Sequence, residues 1–209
     1  MIDPTEPQPA GSDPIREKIL RAAKEKFLRL GFSRVPIEEV CADLRIAKKT
    51  FYKHFRNRDD LVLAIVLDNL HSFAPSFEAI FQSKLPAPRT IEAYMDFFHD
   101  TISRNISEVF MEDVEVHLPE LWEKIASFRR AIIGRFEEVL ERGIREGTVH
   151  PDVNPNAYMR MVLAIVDTVA VGSFLRRNDL TLAEVMRVAK RMFLVGLRPD
   201  VPSEESHAR

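Results

Sequence analysis

The sequence holds one cysteine (Cys41), one tryptophan, three tyrosines and seven glycines in 209 residues. A lone cysteine excludes an internal disulfide and any zinc site built on several thiolates. Set among apolar residues at helical spacing, Cys41 reads as a small buried hydrophobe. The scarcity of glycine, with β-branched clusters that do not alternate with polar residues, argues against a sheet-rich fold. Long apolar runs are missing too. The longest, 161–175, is broken by Asp167 and Thr168 and falls short of the roughly 20 residues that span a bilayer. Residues 1–13 are rich in proline and acid and lack the basic-then-apolar order of a secretion signal. These absences point to a soluble protein of the reducing cytoplasm with no membrane partner. Phosphate loops, dinucleotide fingerprints and Ser/His/Asp nucleophile motifs are absent as well, which argues against an enzyme and calls for no cofactor.

What is present is helical. Apolar residues make up 45% and charged residues 30% of the chain, enough for a core under a well-solvated surface. The net charge of −2 hides an asymmetry. Between residues 14 and 60 there are 13 basic and 7 acidic residues, a net of +6, which leaves 17 basic and 25 acidic residues, or −8, for the rest. A basic head on an acidic body is the distribution expected when one end meets a polyanion. Asp13 and Pro14 open a first helix that Gly31 ends, with Ile15, Ile19, Ala22, Ala23, Phe27 and Leu30 as its apolar stripe. A second helix covers 36–44, with Ile37, Val40, Cys41 and Leu44 facing inward, and a third covers 47–54. Further helices are expected at 58–72, 75–83, 88–105, 107–116, 119–146, 155–176 and 181–197. This gives an all-α chain of about nine or ten helices: a disordered tail (1–13), a three-helix head (14–57), a helical body (58–198) and a second tail (199–209).

Three short helices in about 45 residues, the last two nearly abutting, are what a helix-turn-helix requires. The second helix crosses the DNA backbone and the third enters the major groove. In the third, Ile46, Phe51 and Phe55 are spaced to pack inward, which leaves Lys48, Lys49, Thr50, Tyr52, Lys53 and His54 outside. Lysines neutralise phosphates, and the hydroxyls of Thr50 and Tyr52 and the ring of His54 can hydrogen-bond phosphates or bases. Arg45, Arg56 and Arg58 add charge at the rim, and no acid falls between residues 45 and 58. A solvated basic helix with no ligand would explain the charges, but not a tyrosine set among lysines on a polar face.

Residues 14–64 resemble the DNA-binding domain of the TetR family of transcriptional regulators. The resemblance rests on Ile19 to Phe27, Leu30-Gly31-Phe32, Ile37 to Leu44, Lys48-Lys49-Thr50-Phe51-Tyr52-Lys53-His54-Phe55 and Arg58-Asp59-Asp60-Leu61. Three positions depart from the family pattern. Pro36 replaces a threonine that often contacts phosphate, Arg45 a turn glycine, and Ala47 the serine that usually caps the recognition helix. The resemblance implies a palindromic double-stranded operator, a homodimer built on the last two helices, and repression relieved when a small molecule binds the body. In that mechanism, ligand moves helix 58–72 and takes the two heads out of register.

The body's residues bear on two of these expectations. The helix expected at 155–176 is apolar nearly all round and so needs covering on more than one side. Met161, Ile165, Val169, Val185, Met186, Met192 and Phe193 are the candidate dimer residues, with burial in a monomer core as the alternative. Tyr94, Met95, Phe97, Phe98, Phe110, Trp122 and Phe128 supply enough aromatic and methionine surface for an apolar pocket. The candidate effector residues are Phe97, Phe98, Phe110, His117, Trp122 and Met161, for an apolar or aromatic effector. Asp68-x-x-His71 and Asp96-x-x-His99 are possible metal pairs. A di-iron carboxylate bundle, however, needs Glu-x-x-His on two of its helices, which this pattern does not provide, and no metal is expected.

Overall fold

The computed structural model describes residues 13–103, 106–170 and 172–199, with side chains at all of these except 102–103, 169–170, 172–173 and 176. The expected tails lie outside this range apart from Asp13 and Pro199. The described chain is helical: α1 (Pro14–Leu30), α2 (Ile37–Asp43), α3 (Lys48–His54), α4 (Arg58–Gln82), α5 (Ala87–Phe97), a π-helical segment (Phe98–Ser103), α6 (Glu108–His117), α7 (Pro119–Arg145), α8 (Pro155–Ala170), α9 (Gly172–Arg177) and α10 (Leu182–Gly196). It forms two compact units. The first holds the head together with residues up to Pro75 and 104–125, and the second holds 76–103 and 126 onward.

In the first unit local chemistry sets the helix ends. The Asp13 carboxylate accepts from the Ile15 amide at 2.9 Å and Pro14 fills the first helical position, as an N-terminus with orphan amides favours. Gly31 stops α1 at φ 82°, and a Cβ there would lie 2.6 Å from Asp113 Oδ2 and 2.7 Å from Val109. The glycine is therefore required twice, by backbone conformation and by the close passage of α6. That passage is fixed by polar bonds. Asp113, buried, accepts from the Ser33 amide and hydroxyl, both at 2.8 Å, and the Ser107 amide donates to the Leu28 carbonyl at 2.8 Å. Around them Ile19, Phe27, Phe51, Phe55, Leu61 and Phe110 form a fully buried core. The compact unit is thus larger than the 14–57 stretch, because the head's helices share this core with α6 and the start of α4.

The expected break near Pro75 is absent: α4 runs on through it. A proline inside a helix costs one backbone bond and crowds the preceding turn, and here the flanking apolar residues keep the helix going on both sides. The helix expected at 88–105 changes to π-helical winding after Phe97, and residues 104–105 lie outside the described range. The stretch expected at 155–176 is helical over α8 and α9, with residue 171 between them outside the described range.

The second unit is bound by packing and by ion pairs. Lys190 on α10 reaches Asp96 at 2.7 Å and Glu92 at 3.2 Å on α5. Neighbouring charge shifts both partners: Asp96 raises the Lys190 pKa, while Arg89 and then Lys190 hold Glu92 low. Tyr158 donates to the Phe193 carbonyl at 2.7 Å, tying α8 to α10. Thr181 and Glu184 form a reciprocal capping box at the start of α10, which satisfies two of its orphan amides.

Candidate nucleic-acid interface and effector cavity

The turn that aims the third helix has a defined geometry. After α2, the Arg45 amide donates to the Ala42 carbonyl and the Ile46 amide to the Cys41 carbonyl, both at 3.0 Å. Arg45 takes φ 54°. This 5→2 and 6→1 pair around one left-handed residue is a Schellman termination. It sends the chain sharply from α2 into α3, and it places a residue other than glycine in a conformation costing about 1–2 kcal/mol. Ala47 then caps α3 without a side-chain bond, as does Pro36 for α2.

The inner face of α3 is anchored by Phe51 and Phe55, exposed by no more than 1%, with ring centroids 5.8 Å apart. Removing a ring buried to this degree costs about 3–5 kcal/mol, so the orientation of α3 is strongly held. With that face down, Lys48, Lys49, Tyr52 and Lys53 are exposed and Thr50 and His54 half-buried. Tyr52 stands 54% exposed, its ring edge-on to Phe51 at 5.2 Å. A large aromatic pinned at its base and open at its hydroxyl end suits a base or phosphate contact. Lys49 and Lys53 pair with no carboxylate among the described residues, while Lys48 meets Glu38 of α2. That contact, chiefly its hydrogen bond, raises the Lys48 pKa and lowers that of Glu38. His54 Nδ1 lies 3.1 Å from the Asp13 carboxylate, so the α1 cap also steadies the end of α3. Neither carboxylate contact is visible in sequence, because the partners lie on different elements. Arg45 sits exposed in the turn beside these groups.

In the second unit, α5, α7, α8 and α10 enclose a cavity of about 70 Å³ with an almost wholly apolar wall. Of the six candidate effector residues only Phe98 lines it. Phe97 packs edge-on to Phe77 at 5.2 Å. Phe110 is enclosed in the first unit's core, Trp122 packs against that core, and His117 meets Phe32 edge-on at 6.2 Å. Met161 is 67% exposed on α8. The reason is directional: α6 turns its apolar face toward α1, so its aromatics stabilise the head. Tyr94 and Met95 do line the cavity, together with Arg129, Phe136, Tyr158 and Met159. Sequence reasoning passed over these last four, since an amphipathic stripe looks the same whether it meets a core or a cavity.

The candidate dimer residues divide between a cavity face and an outer face, with Ile165 and Val185 bordering both. Ile165, Val185, Met186 and Phe193 line the cavity, whereas Met161 and Met192 are exposed at 67% and 62%. The Val169 side chain lies outside the described set. Val188 on α10, 58% exposed, extends the outer apolar face. No cluster of three or more metal-ligating side chains, and no helix long and apolar enough to cross a membrane, occurs among the described residues.

Comparison with known proteins bears on the head and on the fold. Residues 19–65 match the family model for bacterial regulatory proteins of the tetR family. The chain is 21% identical over 152 residues to the HTH-type transcriptional regulator UidR of Escherichia coli K12, covering 73% of this chain and 78% of that one. It is similar in fold to a TetR/AcrR-family transcriptional regulator from Thermobifida fusca, with a TM-score of 0.66, 21% identity, and coverage of 89% of this chain and 100% of that one. It is also similar to the regulator FadR of Bacillus subtilis, solved in complex with stearoyl-CoA, with a TM-score of 0.62, 16% identity, and coverage of 87% and 99%.

Proposed function

We propose that the chain, whose residues 19–65 match the model for bacterial regulatory proteins of the tetR family, is a DNA-binding transcriptional regulator of that family that works as a homodimeric repressor. In this reading it grips a palindromic operator with two copies of α3 and is released by a small molecule held in the α5/α7/α8/α10 cavity. The observation that carries the DNA half is the outer face of α3. Tyr52, Lys49 and Lys53 stand exposed on a helix whose other face is locked by Phe51 and Phe55. Arg45, Lys48, Thr50 and His54 complete the contact set, with the charged members neutralising phosphates and Tyr52 and Thr50 offering hydroxyls.

The dimer half is supported by the apolar outer face of α8 and α10. Met161, Val188 and Met192 have no reason to face water in a lone copy, and a two-fold pair of heads is what reading two half-sites one helical turn apart demands. The effector half is supported by the cavity, since an enclosed apolar space with few polar groups is the usual form of a small-molecule site. Release then follows from linkage. An effector that prefers the DNA-incompetent conformation weakens operator binding, and operator weakens effector binding by the same factor.

Selection of bound duplexes from a random library tests this reading. The expected product is an inverted repeat with half-sites about 10 base pairs apart, centre to centre. Recovery of unrelated sequences at equal affinity would leave only nonspecific, phosphate-driven binding.

A further inference from the structure

The cavity wall contains three polar side chains, Tyr94, Arg129 and Tyr158, and their partners differ. Tyr158 is committed, its hydroxyl donating to the Phe193 carbonyl at 2.7 Å. Arg129 is 12% exposed and its charge is answered. Nε and Nη2 both donate to Asp167 Oδ1, at 3.2 and 2.9 Å. Tyr94 is different. Its ring is fixed among Phe136, Phe77 and Phe98, at centroid distances of 4.9, 5.7 and 6.4 Å, and its hydroxyl makes no hydrogen bond among the described residues. The side chain is half-buried, and desolvation pushes the phenol pKa up, only partly opposed by the nearby Arg129 charge. A ring held on three sides fixes an unpaired hydroxyl donor on a side chain that lines an apolar cavity, where it can meet a ligand's acceptor.

Resting on the reading of this cavity as the effector site, we propose that the effector is uncharged and mostly apolar, with one carbonyl- or ether-type oxygen that accepts from the Tyr94 hydroxyl. An acid is disfavoured because, with the Arg129 charge already answered by Asp167, its carboxylate would add one excess negative charge to an apolar wall. A cation meets Arg129 and is disfavoured more directly. Met95, Met159 and Met186 in the wall give the site its adaptability. Unbranched thioether side chains repack around ligands larger than the empty space.

The test uses the full-length protein and three probes of one size: cumene, acetophenone and benzoate, titrated by calorimetry. Acetophenone should bind roughly three- to tenfold more tightly than cumene, the worth of one neutral hydrogen bond, and benzoate should bind at least tenfold more weakly than acetophenone. In Tyr94→Phe the advantage of acetophenone should vanish while cumene is unaffected. The wild-type ranking remains readable even if that variant fails to fold. Benzoate binding most tightly, or an acetophenone advantage that survives in folded Tyr94→Phe, would overturn the proposal and leave the cavity as an effector site of another chemistry. Failure of all three probes to bind folded protein would overturn the effector reading itself, and this proposal with it.

Discussion

Arg45 shows how one residue serves two demands. It occupies the left-handed position of the Schellman turn between α2 and α3, at φ 54°, where glycine would be unstrained. It also places a cation beside the exposed face of α3. Arg45→Gly is therefore expected to raise unfolding stability by about 1 kcal/mol, read by chemical denaturation. The same change should weaken operator binding and reduce the slope of log affinity against log salt by about 0.9, one phosphate contact. A variant that loses both stability and affinity would show that the arginine holds the turn by some other interaction. Ala47 is the complementary case: its α3 terminus has no side-chain cap, so the helix depends all the more on Phe51 and Phe55 for its position.

At the scale of elements, α8 and α10 have the most to reveal, because each shows one face to the cavity and another to solvent. Ile165, Val185 and Ala189 line both the cavity and the shallow outer groove that also takes in Val188 and Met192. The double substitution Val188→Glu and Met192→Glu touches only the outer face. It should leave thermal stability of the fold nearly intact while giving a species of the monomer mass, 24.0 kDa, by sedimentation. Affinity for a palindromic operator should fall by a factor on the order of 10² or more as the second head's contribution is lost. A dimer that persists would move the interface elsewhere. The ends of α1 to α3 were legible in sequence to within about a residue, because Asp13, Pro14, Gly31 and Pro36 mark them chemically. Pro75 misled for the same reason: a proline marks a break in sequence, yet α4 absorbs it. The face of α3 was legible because phenylalanines and lysines alternate there at helical spacing. The cavity was legible only in its aromatic character. Arg129 meets Asp167 from 38 positions away and Tyr158 meets Phe193 from 35, and nothing in local pattern announces such pairs. Nor does periodicity say that Phe110 serves the head's core while Phe98 serves the cavity.

For the whole molecule, the basic head and acidic body divide the labour. The net of +6 between residues 14 and 60 attracts duplex DNA, and the −8 elsewhere keeps the body from adding nonspecific grip. Both α4 and α7 contribute residues to each compact unit, and in the proposed mechanism an effector acts on the heads through them. In the proposed function α3 reads sequence as well as charge. The most direct test is a salt-series titration of a selected palindrome against a scrambled duplex of the same composition, for the wild type and for Tyr52→Ala with Lys53→Ala. We expect the wild type to prefer the palindrome by a factor on the order of 10³ or more. The double variant should lose most of that preference while keeping a salt-dependent affinity for both duplexes. Equal wild-type affinity for the two duplexes, or a preference that the double variant keeps in full, would show that α3 does not read sequence.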